Sequence, residues 1–205
     1  MARNFASLAF TPAVKQLQEQ YGSRPAYARQ EKVTYQDGLT ESEMDFIAER
    51  DSFYMASIGA NGFPYIQHRG GPKGFVQAID AKTVAFVDVR GNQQFVSLGN
   101  IAEQPNVSLI FMDYPHRTRL KLLARAEVVT LESRPELVQQ LMASFKAKPE
   151  RVMLLHVEAY DWNCPQHITP RFTQEELLLA LDAQREYVEG LQREVEELRA
   201  QVKDR

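Results

Sequence analysis

The chain has 205 residues, 44% of them apolar, enough to enclose one core of ordinary domain size and leave an appendage. Its 24 Lys and Arg against 27 Asp and Glu give a net charge of −3, so no basic excess exists to grip a phosphate backbone and nucleic acid is excluded as an expected partner. One cysteine, Cys164, and four histidines exclude an internal disulfide and a cysteine-rich zinc site, while the absence of a membrane-length apolar run and of a signal-peptide pattern predicts a soluble, cytoplasmic protein without membrane contact.

Thr11 followed by Pro12 is a helix-start signal and predicts a helix over 12–21, followed by a loop. Thr40-Glu41-Ser42-Glu43 has capping-box spacing ahead of apolar Met44, Phe46 and Ile47, predicting a helix over 41–50. From Ser52 the hydrophobic period becomes that of strands. Residues 53–58 and 63–67 flank Asn61-Gly62, a pair that favours the positive dihedrals of a tight hairpin turn. Further strands are predicted at 74–79, 83–89, 106–113, 118–130 and 151–160, all rich in Val, Phe, Ile and Leu. Only two helices are predicted to interrupt these strands, at 93–103 and 134–146. So few helices among about seven strands leave no regular parallel crossovers, so the expected fold is mainly β: an antiparallel sheet closing on itself as a small barrel with peripheral helices.

The tail carries the clearest periodicity. Leu177, Leu181, Gln184, Val188, Leu191, Val195, Leu198 and Val202 alternate steps of four and three, a heptad seam. Val188, Val195 and Val202 share one core position and Leu177, Leu191 and Leu198 the other, a division that favours parallel two-stranded coils, with Glu194 and Arg199 at the flanking positions. An amphipathic helix lying on its own barrel is the alternative. The expected organisation is an N-terminal helix and extended arm at 1–39, a barrel domain at 40–165, and a linker with the heptad helix at 166–205.

Two segments could carry chemistry. In Gln67-His68-Arg69-Gly70-Gly71-Pro72-Lys73-Gly74, glycines would let a ligand approach the backbone while a guanidinium and an ammonium favour an anion. A surface turn with solvated cations reads the same residues differently. In the second, Arg90-Gly91-Asn92-Gln93-Gln94-Phe95-Val96-Ser97, a strand passes through a turn into a helix, and helix N-termini offer free amides and partial positive charge to anions. Arg90, Asn92 as the expected helix cap, and Ser97 could complete a phosphate cradle, or Asn92 could merely cap and Ser97 face solvent. Walker and dinucleotide glycine spacings are absent.

These segments, with Ala85–Asn92, Ser97-Leu98-Gly99-Asn100-Ile101, Pro105–Asp113 and Asn163-Cys164-Pro165-Gln166-His167-Ile168, resemble the flavin-binding split-barrel family of pyridoxamine 5'-phosphate oxidase, in a bacterial branch distinct from the true oxidase. The resemblance covers roughly residues 40–165. It implies a six- to seven-stranded antiparallel split β-barrel and a homodimer holding FMN at the subunit interface. Carried over by position, Gln67, His68 and Arg69 correspond to the strand that passes the flavin ring and begins the phosphate site. Arg90, Gly91, Asn92, Ser97 and Asn100 correspond to the loop and helix start around the phosphate, with Lys73 beside them; Arg119 and Lys121 lie near the position that reaches the ring. Where the oxidase has an Arg-Lys pair this chain has Gln93-Gln94, so the phosphate would lean on Arg69, Lys73 and Arg90.

The oxidase's C-terminal substrate segment is replaced by residues 162–172 and the heptad helix, so vitamin B6 oxidase activity is not expected and the small-molecule substrate stays open. His68, His116 and His167 are the candidates for proton handling, with His116, Trp162 and His167 nearest the expected substrate region; each also reads as a turn, interface or core residue. Tyr160 and Trp162 could stack on a ring. An FMN-dependent oxidoreductase is the leading expectation. A non-catalytic sensor, carrier or storage barrel is the alternative, and FAD, a deazaflavin or haem could occupy the same groove.

Overall fold

The computed structural model describes residues 4–32, 37–162 and 165–203, so the expectations placed on Asn163 and Cys164 lie outside the described residues. The chain divides into two compact units, Met1–Asp113 with Thr118–Gln166, and Tyr114–Arg117 with His167–Arg205.

Three short helices open the first unit: α1 (Phe5–Ala9), α2 (Pro12–Gln20) and α3 (Arg24–Glu31). The hydroxyl of Thr11 caps α2 by accepting the Val14 amide at 3.4 Å. The stretch after Tyr21, expected as a loop, instead contains α3. Its low apolar content hides the period, and polar ties replace a hydrophobic face. The Asn4 side-chain amide donates to the Gln30 carbonyl at 2.9 Å, and Lys15 and Arg24 both pair with Glu31.

Next come α4 (Glu41–Ala48), β1 (Ser52–Ile58), β2 (Pro64–Gly70), β3 (Val76–Asp80), β4 (Thr83–Val89), α5 (Val96–Glu103), β5 (Asn106–Asp113), β6 (Thr118–Val129), α6 (Pro135–Leu141) and β7 (Pro149–Trp162). The strands form one seven-stranded sheet in the order β2-β1-β5-β6-β7-β4-β3, with every pairing antiparallel. The sheet does not close on itself: no ladder joins β2 to β3 among the described residues, which makes the barrel a split one. At the split the chain turns back on α4, with the Gly71 amide bonded to the Asp51 carbonyl at 2.9 Å and the Gly74 amide to the Ala48 carbonyl at 2.8 Å. The Asn61-Gly62 turn is longer than a two-residue hairpin. Ile58 pairs with Pro64, and the Asn61 side chain accepts the Phe63 amide at 3.0 Å while Gly62 takes φ +80°.

Alternate residues of β1, β5 and β6 point into one apolar core. At its centre Phe53 stacks on Phe111 and Phe75, with ring centroids 5.0 and 5.8 Å apart, and meets Phe86 edge-on at 5.3 Å. A Cβ on Gly71 would lie 2.6 Å from Cγ of Phe75. That glycine therefore makes room for a core ring rather than for a ligand.

The capping box of α4 reaches into this core. The buried Glu43 carboxylate accepts the Thr40 amide at 2.8 Å and the Trp162 indole N–H at 2.6 Å. Burial alone would raise its pKa, but the hydrogen bonds from Thr40 and Trp162 outweigh it and hold the group below its ordinary value of 4.5. A carboxylate lowered on folding adds stability above its unfolded pKa and loses it as the pH falls through the folded one. Glu43→Gln is therefore expected to separate from the parent most widely at neutral pH in denaturant titrations, and the gap to begin closing only once the pH drops past 4.5 toward the lowered folded value. A gap that stays constant down to acid pH would assign the effect to packing alone.

In the second unit, α7 (Gln174–Lys203) is a 30-residue helix. The guanidinium of Arg171 lies 4.9 Å from the centroid of the Tyr114 ring.

Candidate functional site

β2 runs through Gln67 and Arg69, and β4 ends on Asp88 and Val89 before the loop 90–95 enters α5. These segments and the start of β7 enclose a cleft whose walls include Tyr65, Gln67, Arg69, Gly91, Ser97 and Arg151. The pairing of β4 with β7 sets Asp88 opposite Arg151. Across the split, Arg69 reaches the same carboxylate: its Nη1 donates to Oδ1 of Asp88 at 2.6 Å, and Arg151 Nη1 donates to Oδ2 at 2.6 Å. Arg151 Nη2 also donates to Glu150 at 2.8 Å. Two guanidiniums thus stand against two carboxylates, and the cleft carries little net charge. Asp88 is buried and the arginine side chains are only 15% and 20% exposed, so these charges are weakly screened. Rings sit beside both cations, Phe86 at 5.7 Å from Arg69 and Phe95 at 5.6 Å from Arg151. The Nε of Arg69 is buried with no hydrogen-bond partner among the described residues, a donor left unsatisfied by the protein.

The loop departs from its expected form. Helix α5 starts at Val96 rather than near Asn92, and no side chain caps it. Asn92 instead accepts the Gln94 amide at 3.2 Å in a local turn, while Gln93 and Phe95 take φ of +60° and +56°. The first amides of α5 therefore have no side-chain acceptor. Ser97, for which a solvent-facing role was the bland alternative, is buried and its hydroxyl donates to Oε1 of Gln67 at 2.9 Å. Gly91 lies open, since a Cβ there would meet nothing within 4 Å.

The structure thus brings Gln67, Arg69, Gly91, Asn92 and Ser97 together in one cleft. Arg90 is exposed and lines a neighbouring cleft with His68, Gly70, Phe86 and Phe145; Arg69 borders both. His68 packs edge-on to Tyr54 at 5.4 Å. Asn100 is drawn inward, donating from Nδ2 to the Ser57 hydroxyl at 3.0 Å. Lys73 stands apart on the surface, 3.5 Å from Glu49. Arg119 and Lys121 are on β6, three places from β2 in the sheet order. Lys121 pairs with Asp161 at 3.2 Å and lies 4.6 Å from the Phe5 ring centroid; the Nε of Arg119 is buried without a partner among the described residues. Trp162, a substrate candidate, gives its indole N–H to Glu43 and its ring edge to Phe46 at 4.8 Å. His116 and His167 are exposed residues of the second unit, His167 with φ +65°.

Asp88, Glu150 and Arg151 escaped the reading of the sequence. Arg151 lies 61 positions beyond Arg90 in a run that reads only as a strand, and nothing local marks it as a partner of Asp88. The near-continuous apolar run of β4 did hold a signal: Asp88 is a charged residue near the end of a strand buried from Thr83 to Val87, and a buried carboxylate needs a cation.

No curated protein matches the chain in sequence. Among solved structures, HupZ of Group A Streptococcus is similar at 20% identity and a TM-score of 0.48, over 65% of this chain and 99% of that one. A Lactobacillus delbrueckii protein assigned as a pyridoxamine 5'-phosphate oxidase is similar at 21% identity and a TM-score of 0.46, over 60% and 93%. A Clostridium acetobutylicum protein related to general stress protein 26 gives 12% identity and a TM-score of 0.44, over 66% and 94%. The sequence profile of pyridoxamine 5'-phosphate oxidase matches residues 39–163, which contain the whole seven-stranded sheet and the cleft between β2, α5 and β7, and the chain belongs to that family.

Proposed function

We propose that the chain is an FMN-binding flavoprotein that works as a homodimer with the flavin at the subunit interface, and that it is an oxidoreductase acting on a small molecule other than a B6 vitamer. One observation carries the reading: Arg69 and Arg151 converge with Ser97, Gln67 and the uncapped start of α5 in a single cleft. The unsatisfied Nε of Arg69 and the open space at Gly91 fit an anionic group entering there. Arg69, Arg151 and the backbone amide of Ser97 in the first turn of α5 would hold the phosphate, and Arg151 would supply the cation that Gln93-Gln94 does not. When bound, FMN supplies hydride or single-electron transfer, and the protein's part is binding, orientation and exclusion of water. Gln67, fixed by Ser97, would lie toward the ring, while His68, the next residue of β2, points to the other face into the neighbouring cleft, where its imidazole would take or give a proton to a substrate. Arg90 borders the neighbouring cleft and would meet the same ligand from its other side.

The visible spectrum of the purified protein, with release and identification of its chromophore, tests this. A two-banded yellow spectrum with FMN released is the expected result. A deazaflavin or haem spectrum would move the reading to that cofactor, and a colourless protein that takes up no added FMN would overturn it. In FMN titrations Arg151→Ala is expected to weaken binding roughly ten- to hundredfold, the scale of hydrogen bonds to a charged group. Unchanged affinity would take the phosphate away from this cleft.

A further inference from the structure

The heptad helix is untouched by the flavin reading. None of the described side chains of α7 is buried, and Leu177, Leu181, Val188, Leu191, Val195 and Leu198 along its seam are each 43–53% exposed. Such a stripe on a 30-residue helix is far more apolar surface than a free helix gains from presenting to water. Gly190 within the helix adds a propensity cost of about 1 kcal/mol, so the helix needs a partner along its length.

We propose that this partner is α7 of a second copy, packed parallel and in register as a two-stranded coiled coil. The residues discriminate between the arrangements. In a parallel pair, Glu194 of each helix faces Arg199 of the other across the seam, giving two symmetric attractive pairs. In an antiparallel pair built on the same seam, Glu194 would face Tyr187 and Arg199 would face Leu178, and no opposite charges would meet. Gln184 sharpens the choice. In parallel register it meets its own copy, and two amides can bond each other; antiparallel, it faces Val195 and is buried without a partner. A one-heptad slip would set it against Leu191, so the same glutamine penalises slippage. Val188 and Val195 at one core position with Leu191 and Leu198 at the other agree with two strands.

The test uses the full chain with Cys164→Ser, so that an introduced cysteine is the only one. Leu198→Cys sits on the seam and Arg193→Cys on the opposite face. In the parallel coil the two introduced thiols at 198 lie within disulfide reach. In the antiparallel coil position 198 faces 181, and the thiols are roughly 25 Å apart at 1.5 Å per residue. Mild oxidation is expected to form a reducible dimer roughly tenfold faster at 198 than at 193. Adding Glu194→Arg should slow the reaction at 198, and Arg199→Glu on top should restore it. Crosslinking at 198 no faster than at 193, or a charge swap without effect, overturns the proposal, including when the helix serves another protein instead. Chromophore content measured on the same preparations keeps the flavin reading separate: a yellow protein that does not crosslink sinks only the coil, and a colourless one that does sinks only the flavin.

Discussion

Asp88→Asn is expected to cost about 3 kcal/mol of stability, the lower end for breaking a buried ion pair that remains partly solvent-accessible. The substitution keeps the shape of the side chain but removes the one charge that holds Arg69 and Arg151 together, each at 2.6 Å. Two guanidiniums would then face each other with only Glu150 to balance them. The same change frees both cations for a ligand. Inorganic phosphate is therefore expected to raise the unfolding midpoint of the variant more than that of the parent, because a ligand that binds only the folded form stabilises in proportion to its affinity. Denaturant titrations of both proteins at several phosphate concentrations measure this. A variant that is destabilised but indifferent to phosphate would mean that Asp88 is a structural counter-ion and that the cleft is no anion site.

Phe53→Ala is expected to cost about 4 kcal/mol, in the usual range for truncating a buried phenylalanine. Phe53 is 1% exposed and touches three other rings, contributed by β4, β5 and the turn before β3. Neighbours anchored on that many elements cannot all move inward, so most of the cavity should remain. Phe53→Leu should cost about half as much, since it keeps most of the volume. Both are read from denaturant midpoints. A loss near 1 kcal/mol for Phe53→Ala would show that the core collapses around the gap and that the sheet is more pliable than its ring stack implies.

Much of the sheet was legible because strand alternation and turn chemistry are local. Pro64 to Gly70, Thr83 to Val89 and Asn106 to Asp113 fall within a few residues of their predicted spans. The capping box at Thr40 was legible for the same reason, as hydroxyl and carboxylate are three positions apart. Two features were not. Helix α3 has no apolar stripe and owes its place to Asn4 and Glu31, which lie far from one another in sequence. The start of α5 depends on Gln93 and Phe95 taking left-handed dihedrals, which glycine or asparagine would have announced and these residues do not. Half of the cleft was readable as two basic, glycine-bearing segments. Arg151 and Asp88 were not, because their meeting is a property of β4–β7 register and of the split that lets Arg69 reach over.

β2 buries neither of its faces fully; its residues alternate only between exposed and half-buried. Hydrophobic alternation normally fixes which way a strand slides, since a one-residue slip would turn its apolar side to water. Here that lock is weak, and the alignment of β2 rests instead on its ladder with β1 and on two side-chain anchors, Gln67 to Ser97 and Arg69 to Asp88. The groups that define the cleft therefore also hold the strand at its setting, and a substitution there acts on alignment as well as on binding.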